Sequence, residues 1–260
     1  MVFRERVLNR EFLIGTHTGL NNATLAEIMA NCGYDFIWID NEHTAVDYDD
    51  LLHMLMAVQA AGAAVVVRAP VMDLTRTKHI LEMGPDAILF PMINTAEEAA
   101  RAMDMTLYPP EGSRGFGPLR SVKYGLIDSD EFIKTANQRL CRLIQIESET
   151  AVKNLPEIVK NPWIDGFVFG PCDMSGSIGE LNKVFGENTQ KLIREAVEII
   201  KAAGKSIGVS TASDDPQVLK FWHDLGINII SSSMDYLYVA RGAMKNYHTL
   251  KALESNDAAK

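Results

Sequence analysis

Phe36-Ile37-Trp38-Ile39-Asp40-Asn41-Glu42-His43 is the stretch that decides the fold. Four consecutive apolar, β-favouring residues fit a strand buried on both faces, as in a parallel sheet covered by helices. The run then breaks into an acid, an amide, an acid and an imidazole. Ionisable groups at the end of a buried strand are costly to desolvate unless they meet water, a metal or a substrate. A buried strand opening on a polar site is therefore predicted, and other strands should end in the same way.

Working outward, further apolar runs lie at 11–17, 63–68, 87–90, 142–147, 164–170, 206–210 and 227–232. Helical segments alternate with them. The segment 48–61 carries Leu51, Leu52, Leu55, Met56 and Val58 at helical spacing and stops at Gly62. Asp73 and Thr95 are placed to cap the segments that follow them, and Gly33, Gly84 and Gly204 stand where helices should end. A short helical turn is expected at 4–9, a helix at 129–137, and a last helix at about 237–244, followed by a polar tail, 254–260, expected to fray. The Pro- and Gly-rich stretch 107–119 reads as a long loop.

Eight β–α units in 260 residues predict a single-domain α/β protein over 1–260, a closed (β/α)8 TIM barrel. Gly15-Thr16-His17-Thr18-Gly19 lacks the glycine spacing of a dinucleotide-binding turn, which argues against an open sheet.

Composition narrows the function. A net charge of −9 gives no basic footprint for nucleic acid. The most apolar run, 54–67, contains Gln59 and falls short of the roughly 20 residues of a membrane span. The first ten residues are too charged for a signal peptide. Cys32, Cys141 and Cys172 form neither a disulfide framework nor a zinc motif, and the cytoplasm is the expected compartment.

Active sites of this barrel lie at the C-terminal ends of its strands. There the sequence delivers His17 from strand one, Asp40, Glu42 and His43 from strand two, Arg68 from strand three, Gln145 and Glu147 from strand five, and Asp173 after strand six. Strands seven and eight deliver only Ser210, Thr211 and Ser231 to Ser233. Glu147 and Asp173 suit a hard divalent ion with open positions, or else backbone amides at helix starts. Arg68 offers a planar fork to a carboxylate or enolate, or a structural ion pair to Glu42 or Glu82. His43 is a candidate general base, with Asp40, Glu42 or Glu82 to orient it. No lysine ends a strand, so a Schiff base is not expected and a metal is the better source of enolate stabilisation.

Six pieces in order resemble the HpcH/HpaI-type class II pyruvate aldolases over nearly the whole chain. They are Gly15, Asp40-x-Glu42-His43, Val67-Arg68, Tyr108-Pro109-Pro110-Glu111-Gly112-Ser113-Arg114-Gly115, Gln145-Ile146-Glu147 and Gly170-Pro171-Cys172-Asp173-Met174-Ser175. The resemblance implies metal ligation by Glu147 and Asp173 with Mg²⁺, Mn²⁺ or Co²⁺. It implies catalytic roles for His43, Arg68, Asp40 and Glu82, with Glu82 standing where relatives pair an aspartate with the histidine. It implies pyruvate and aldehyde contacts from Arg68, Gln145, Cys172 and Asp173. It further implies a homo-oligomer, a hexamer built as a trimer of dimers that exchange their last helix. His17 stands where relatives often have tryptophan, while Cys172 and Pro85 replace small residues. A CoA-thioester lyase on the same fold, or a non-catalytic barrel binding protein, are the alternative readings; Arg114 and Arg120 either bind an acidic tail of the aldehyde or make surface or subunit contacts.

Overall fold

Alternation along the strands determines which side chains face the barrel axis. The computed structural model describes residues 2–257. Its strands are β1 (Leu13–Thr18), β2 (Phe36–Asp40), β3 (Ala64–Arg68), β4 (Ala87–Phe90), β5 (Cys141–Ile146), β6 (Gly166–Phe169), β7 (Ser206–Thr211) and β8 (Ile229–Met234). Neighbours pair in parallel and in sequence order, and β8 returns to β1 to close the barrel. The helices are α1 (Phe3–Leu8), α2 (Ala23–Asn31), α3 (Tyr48–Ala60), α4 (Leu74–Glu82), α5 (Ala96–Asp104), α6 (Ser129–Arg139), α7 (Glu149–Ile158), α8 (Pro171–Ser177), α9 (Glu187–Ala202), α10 (Pro216–Asp224) and α11 (Asp235–Asp257).

Two cores result. Leu13, Phe36, Trp38, Val66, Leu89, Leu143, Val168 and Ile229 pack inside the barrel. The intervening residues, such as Ile37, Ile39, Val65, Val67, Ile144 and Ile146, pack outward against the helices. Asp40 follows the parity of Phe36 and Trp38, Arg68 that of Val66, and Gln145 that of Leu143. The strand alternation thus turns these polar side chains inward at the C-terminal end. At the opposite end α1 closes the barrel with Phe3 and Val7, and Arg4 Nε pairs with the buried Asp165 at 2.9 Å.

The expected caps form. The Asp73 side chain accepts from the Arg76 amide, and Thr95 and Glu98 make a reciprocal capping box. Two elements differ from the sequence reading. Pro171–Ser177 is a helix, α8, opened by proline at its first position, in a stretch to which the sequence reading assigns no element. The last helix does not stop near Met244 but runs to Asp257; residues 258–260 of the expected tail lie outside the described residues. Beyond Ala240 its described side chains are exposed, so the helix has no apolar stripe turned to its own barrel from which its length could be read. Among the described residues no helix is long and apolar enough to cross a membrane.

Gly15 faces the Phe36 ring inside the barrel. A Cβ there would lie 2.4 Å from two ring carbons. Gly15→Ala is expected to cost about 1–3 kcal/mol through overpacking, read as a lowered urea midpoint with an unchanged m-value. A loss below about 0.5 kcal/mol, the range of a neutral surface change, would show that the ring can move aside.

Candidate active site

Arg68 ends β3 nearly buried, at 8% exposure, and its partners come from the end of β2. Nε and Nη2 donate to the two carboxylate oxygens of Asp40 at 2.9 and 2.6 Å. Nη1 lies 3.2 Å from Glu42 Oε2. Of its five N–H donors, two are committed to Asp40; the contact with Glu42 is an ion pair in which Glu42 Oε2 accepts no hydrogen bond, and the other hydrogens of Nη1 and Nη2 stay available to a ligand. The guanidinium also sits 5.3 Å from the Trp38 ring centroid. Burial pushes the Asp40 carboxyl up, but the hydrogen bonds and charge of Arg68 outweigh it and hold the group below the usual carboxylate range. Burial raises Glu42, with Asp40 and Asp173 adding to the shift and Arg68 and His43 opposing it.

His43 stands at the rim, its side chain 66% exposed, with Nε2 3.6 Å from Glu42 Oε2. That is an ion-pair distance rather than a hydrogen bond. Asp40 Oδ1 fixes the turn by accepting from the Glu42 amide at 3.0 Å and the His43 amide at 3.4 Å.

Glu147 follows β5 and is buried. Its Oε1 accepts from the Met92 amide at 2.7 Å, where Met92 has the left-handed φ of 56°. Its Oε2 accepts from Gln145 Nε2 at 2.7 Å, leaving Gln145 Oε1 buried without a partner. A Cβ on Gly170 would fall 2.5 Å from Glu147 Oε2, so glycine is needed for this cradle. Burial raises the Glu147 carboxyl to about 7; Asp173 and Glu42 push the same way, against the Met92 amide and Arg68. Asp173 and Cys172 lie exposed in the first turn of α8. Burial and Asp173 raise the Cys172 thiol.

These features fit a hard divalent cation. The donors are carboxylate oxygens, a buried amide oxygen is orphaned beside them, and the cradle closes if Gly170 gains a side chain. Among the described residues no group of three or more His, Cys, Asp or Glu side chains is arranged to hold a metal. The fit is therefore to an ion that keeps open positions, not to an all-protein cage.

A cavity of about 410 Å³ opens beside Arg68. Asp40, His43 and Arg68 line it together with His17, Ser210 and Thr211, and Met234 and Tyr236 bring the end of β8 and the start of α11 into its wall. Of the predicted mouth residues, Asp40, His43 and Arg68 line this cavity; Glu42 reaches Arg68, and Glu147 interacts electrostatically with Asp173, Glu42 and Arg68.

Glu82 is the exception. It closes α4, which runs back towards the N-terminal face of the barrel, and its carboxylate lies 3.1 Å from Arg114 Nη2. Within the chain the expected Glu82–His43 pair does not form, and Glu42 takes that place. Arg114 stacks 4.4 Å from the Tyr108 ring centroid, and Arg120 donates to Gln59 Oε1 and to the Met83 carbonyl. Both arginines therefore bind neighbouring elements of their own chain. Sequence reasoning misses the Met92 amide and, though it places Ser210 and Ser231 at strand ends, gives them no role. The first is a backbone group, and the hydroxyls carry no charge signal.

Carboxylates and an arginine at the C-terminal strand ends of a (β/α)8 barrel stand where enzymes of this fold carry their active sites. Comparison with known proteins gives the family. Residues 13–236 match the family model of HpcH/HpaI aldolase/citrate lyase. The 2-keto-3-deoxy-L-rhamnonate aldolase of Escherichia coli (strain K12) is 36% identical over 236 residues, 90% of this chain and 86% of that one. An HpcH/HpaI aldolase/citrate lyase family protein from Burkholderia cenocepacia superposes with a TM-score of 0.90 at 27% identity, covering 95% of this chain and 98% of that one. The HpcH/HpaI aldolase from Desulfitobacterium hafniense shares the fold, with a TM-score of 0.89 at 23% identity over 96% and 97% of the two chains. The chain belongs to the HpcH/HpaI aldolase/citrate lyase family and is a carbon–carbon lyase.

The Asp40–Arg68 pair has a stability consequence. Asp40→Asn leaves a buried guanidinium short of its bidentate partner and is expected to cost about 3 kcal/mol at pH 7. The folded pKa of Asp40 is depressed. Its contribution is therefore present above the unfolded pKa, near 3.9, and is lost as pH falls through the lower folded value. Urea unfolding of both proteins should show the difference shrinking below about pH 4; a gap that stays constant into that range would mean the charge of Asp40 is not what stabilises the mouth.

Proposed function

We propose that the protein is a divalent-metal-dependent aldolase that cleaves a 4-hydroxy-2-oxo acid to pyruvate and an aldehyde, and catalyses the reverse addition. The observation that carries this reading is the buried Glu147 carboxylate, cradled by Met92 and Gln145 and sharing its electrostatic environment with Asp173, Glu42 and Arg68. The E. coli relative, named as an aldolase of a keto-deoxy sugar acid, supports it.

Glu147 and Asp173 would hold the ion, Mg²⁺, Mn²⁺ or Co²⁺. When bound, it supplies positive charge where an enolate oxygen develops. Arg68, fixed by Asp40, directs its remaining N–H donors at the carboxylate and enolate oxygens of pyruvate. His43 takes the methyl proton at the rim, where it exchanges with solvent, and Glu42 stabilises the imidazolium that results. Gln145 Oε1 offers an acceptor beside the carboxylates, and Cys172 contributes to the substrate-facing rim. Glu82 has no part in this proton path within the chain.

Exchange of pyruvate methyl protons into D₂O tests the reading without a known aldehyde. Exchange should require one of the three ions and vanish after EDTA treatment. His43→Ala should slow it by about 10²–10⁴-fold, the usual worth of a general base, while the protein stays folded. Full exchange by metal-free protein would refute the metal's role.

The assembly is a homo-oligomer in which α11 is exchanged between subunits, as a hexamer built from dimers. Val239, Met244, Tyr247, Leu250 and Leu253 project from α11 into solvent. Beside β1 and β8 an uncovered groove of about 440 Å³ is lined by Phe12, Ile14, Tyr34, Leu219 and Ile230. The exposed apolar residues in the second half of α11 and this largely apolar groove would meet in a second copy. Light scattering should give a mass well above 28.8 kDa, and Met244→Glu with Leu250→Glu should reduce it. A monomeric parent protein would rule this assembly out.

A further inference from the structure

The cavity beside Arg68 has a second wall with chemistry of its own. His17 on β1 is buried, and both its ring nitrogens meet hydroxyls, Nε2 with Ser210 Oγ and Nδ1 with Ser231 Oγ, each at 3.0 Å. Its ring packs on Trp38 with centroids 4.5 Å apart. Ser231 is also buried, whereas Ser210 is half-buried and lines the cavity. Barrel interiors are normally filled at this level by Val, Ile and Leu. A polar trio in that layer needs every member satisfied, which favours a use for its unspent capacity.

We propose that Ser210, oriented by His17, is the specificity-determining contact for the aldehyde, selecting one with a hydroxyl beside the carbonyl carbon over its methyl isostere. The inference rests on the aldolase reading and concerns the part of the substrate that pyruvate chemistry leaves free. Arg68 and the carboxylates of Glu147 and Asp173 account for the pyruvate end. Ser210 comes from β7, across the cavity from β2 and β3, where the second fragment has room.

A hydroxyl has one donor and two acceptor sites. One of these functions on Ser210 is committed to His17, and Ser210 itself lines the cavity with the others unspent. His17 is held by Ser231 and by Trp38, so Ser210 is oriented before any ligand arrives and little ordering cost remains. Burial, helped by the charge of Arg68, lowers the His17 pKa to about 4. The imidazole is then neutral at physiological pH. A cation there would compete with Arg68 for the pyruvate carboxylate; a neutral ring passes on a hydrogen bond without that competition. His17 is thus a positioning residue, and Ser210 makes the contact.

The test uses the metal-loaded protein with pyruvate as donor and two isosteric acceptors, glycolaldehyde and propionaldehyde. The ratio of their kcat/KM values isolates the hydroxyl. Wild type should favour glycolaldehyde by about tenfold or more, the worth of one well-placed hydrogen bond in a partly dry site. Ser210→Ala should bring the ratio to about one, and Ser210→Thr, which keeps the hydroxyl, should preserve it. His17→Phe should abolish the preference, and His17→Gln, which keeps a polar group towards Ser210, should restore part of it. If His17→Phe does not fold, the two Ser210 variants decide. A ratio for Ser210→Ala within about twofold of wild type, or a wild type without preference, overturns the proposal. Wild type that exchanges pyruvate methyl protons but shows no preference leaves the aldolase reading standing and removes this one. Wild type that exchanges none with any of the three ions removes both.

Discussion

A buried guanidinium at the mouth of the barrel organises what surrounds it. Arg68 bonds Asp40 through two parallel contacts, reaches Glu42, lies over Trp38, and acts electrostatically on Glu147 and His17. Without it, Asp40 and Glu42 would be desolvated acids in close proximity, and the turn carrying His43 would lose its anchor. The same charge opposes protonation of Glu147 and helps to keep His17 neutral. One side chain thereby influences the ionic state of both halves of the site.

This influence depends on parity. In a closed parallel barrel, residues two apart along a strand share a face, so a single inward residue places its whole series inside. Phe36, Trp38 and Asp40 form one such series, Leu143 and Gln145 another. The first members make the apolar interior and the last members make the site. The β1–β8 pairing departs from even register between Gly15 and His17, where Ser233 takes a left-handed φ of 57°. Such an irregularity re-aims side chains at a barrel rim. It falls beside the His17–Ser231 contact.

The legible and illegible parts of the sequence divide along physical lines. Strand cores such as Ile37–Ile39 and Val65–Val67 stood out because burial on both faces leaves an unbroken apolar run. Gathering Asp40, Arg68, Glu147 and Asp173 at one mouth followed from the rule that strands of this fold end at the site. Helix α8 is illegible because Pro171-Cys172-Asp173-Met174-Ser175-Gly176 has the composition of a turn, and only proline at its first position marks it as helix. The length of α11 is not legible in the sequence because, among the described residues, the apolar side chains past Ala240 are exposed and give no buried stripe. Glu82 was placed by resemblance beside His43. A helix following β3 must run away from the mouth, so its last residue ends far from the first residues of the β2–α3 turn. Ser210 and Ser231 carry no charge signal, yet their hydroxyls meet both ring nitrogens of His17.

The start of α11 shows why the site and the outer surface cannot be treated separately. Asp235 is fully buried, and its Oδ2 accepts from Thr18 Oγ1 at 2.6 Å and from the amides of Gly19 and Leu20 at 3.0 and 2.9 Å. It therefore ties the first turn of α11 to the loop that leaves β1. Met234 and Tyr236, its neighbours in sequence, line the cavity, and so does Gly19 on the tethered loop. A Cβ at Gly19 would lie 2.8 Å from Thr44, on the loop that also carries His43. The loops after β1 and β2 are thus packed against each other and hung from the base of α11. Whatever fixes the direction of that helix also fixes one wall of the cavity. Solvent alone gives a long helix with an exposed apolar side little reason to hold one direction, whereas a second subunit in the exchanged arrangement would fix it. In that arrangement the geometry around Met234 and Tyr236 is set jointly by the barrel that carries them and the partner that receives the helix.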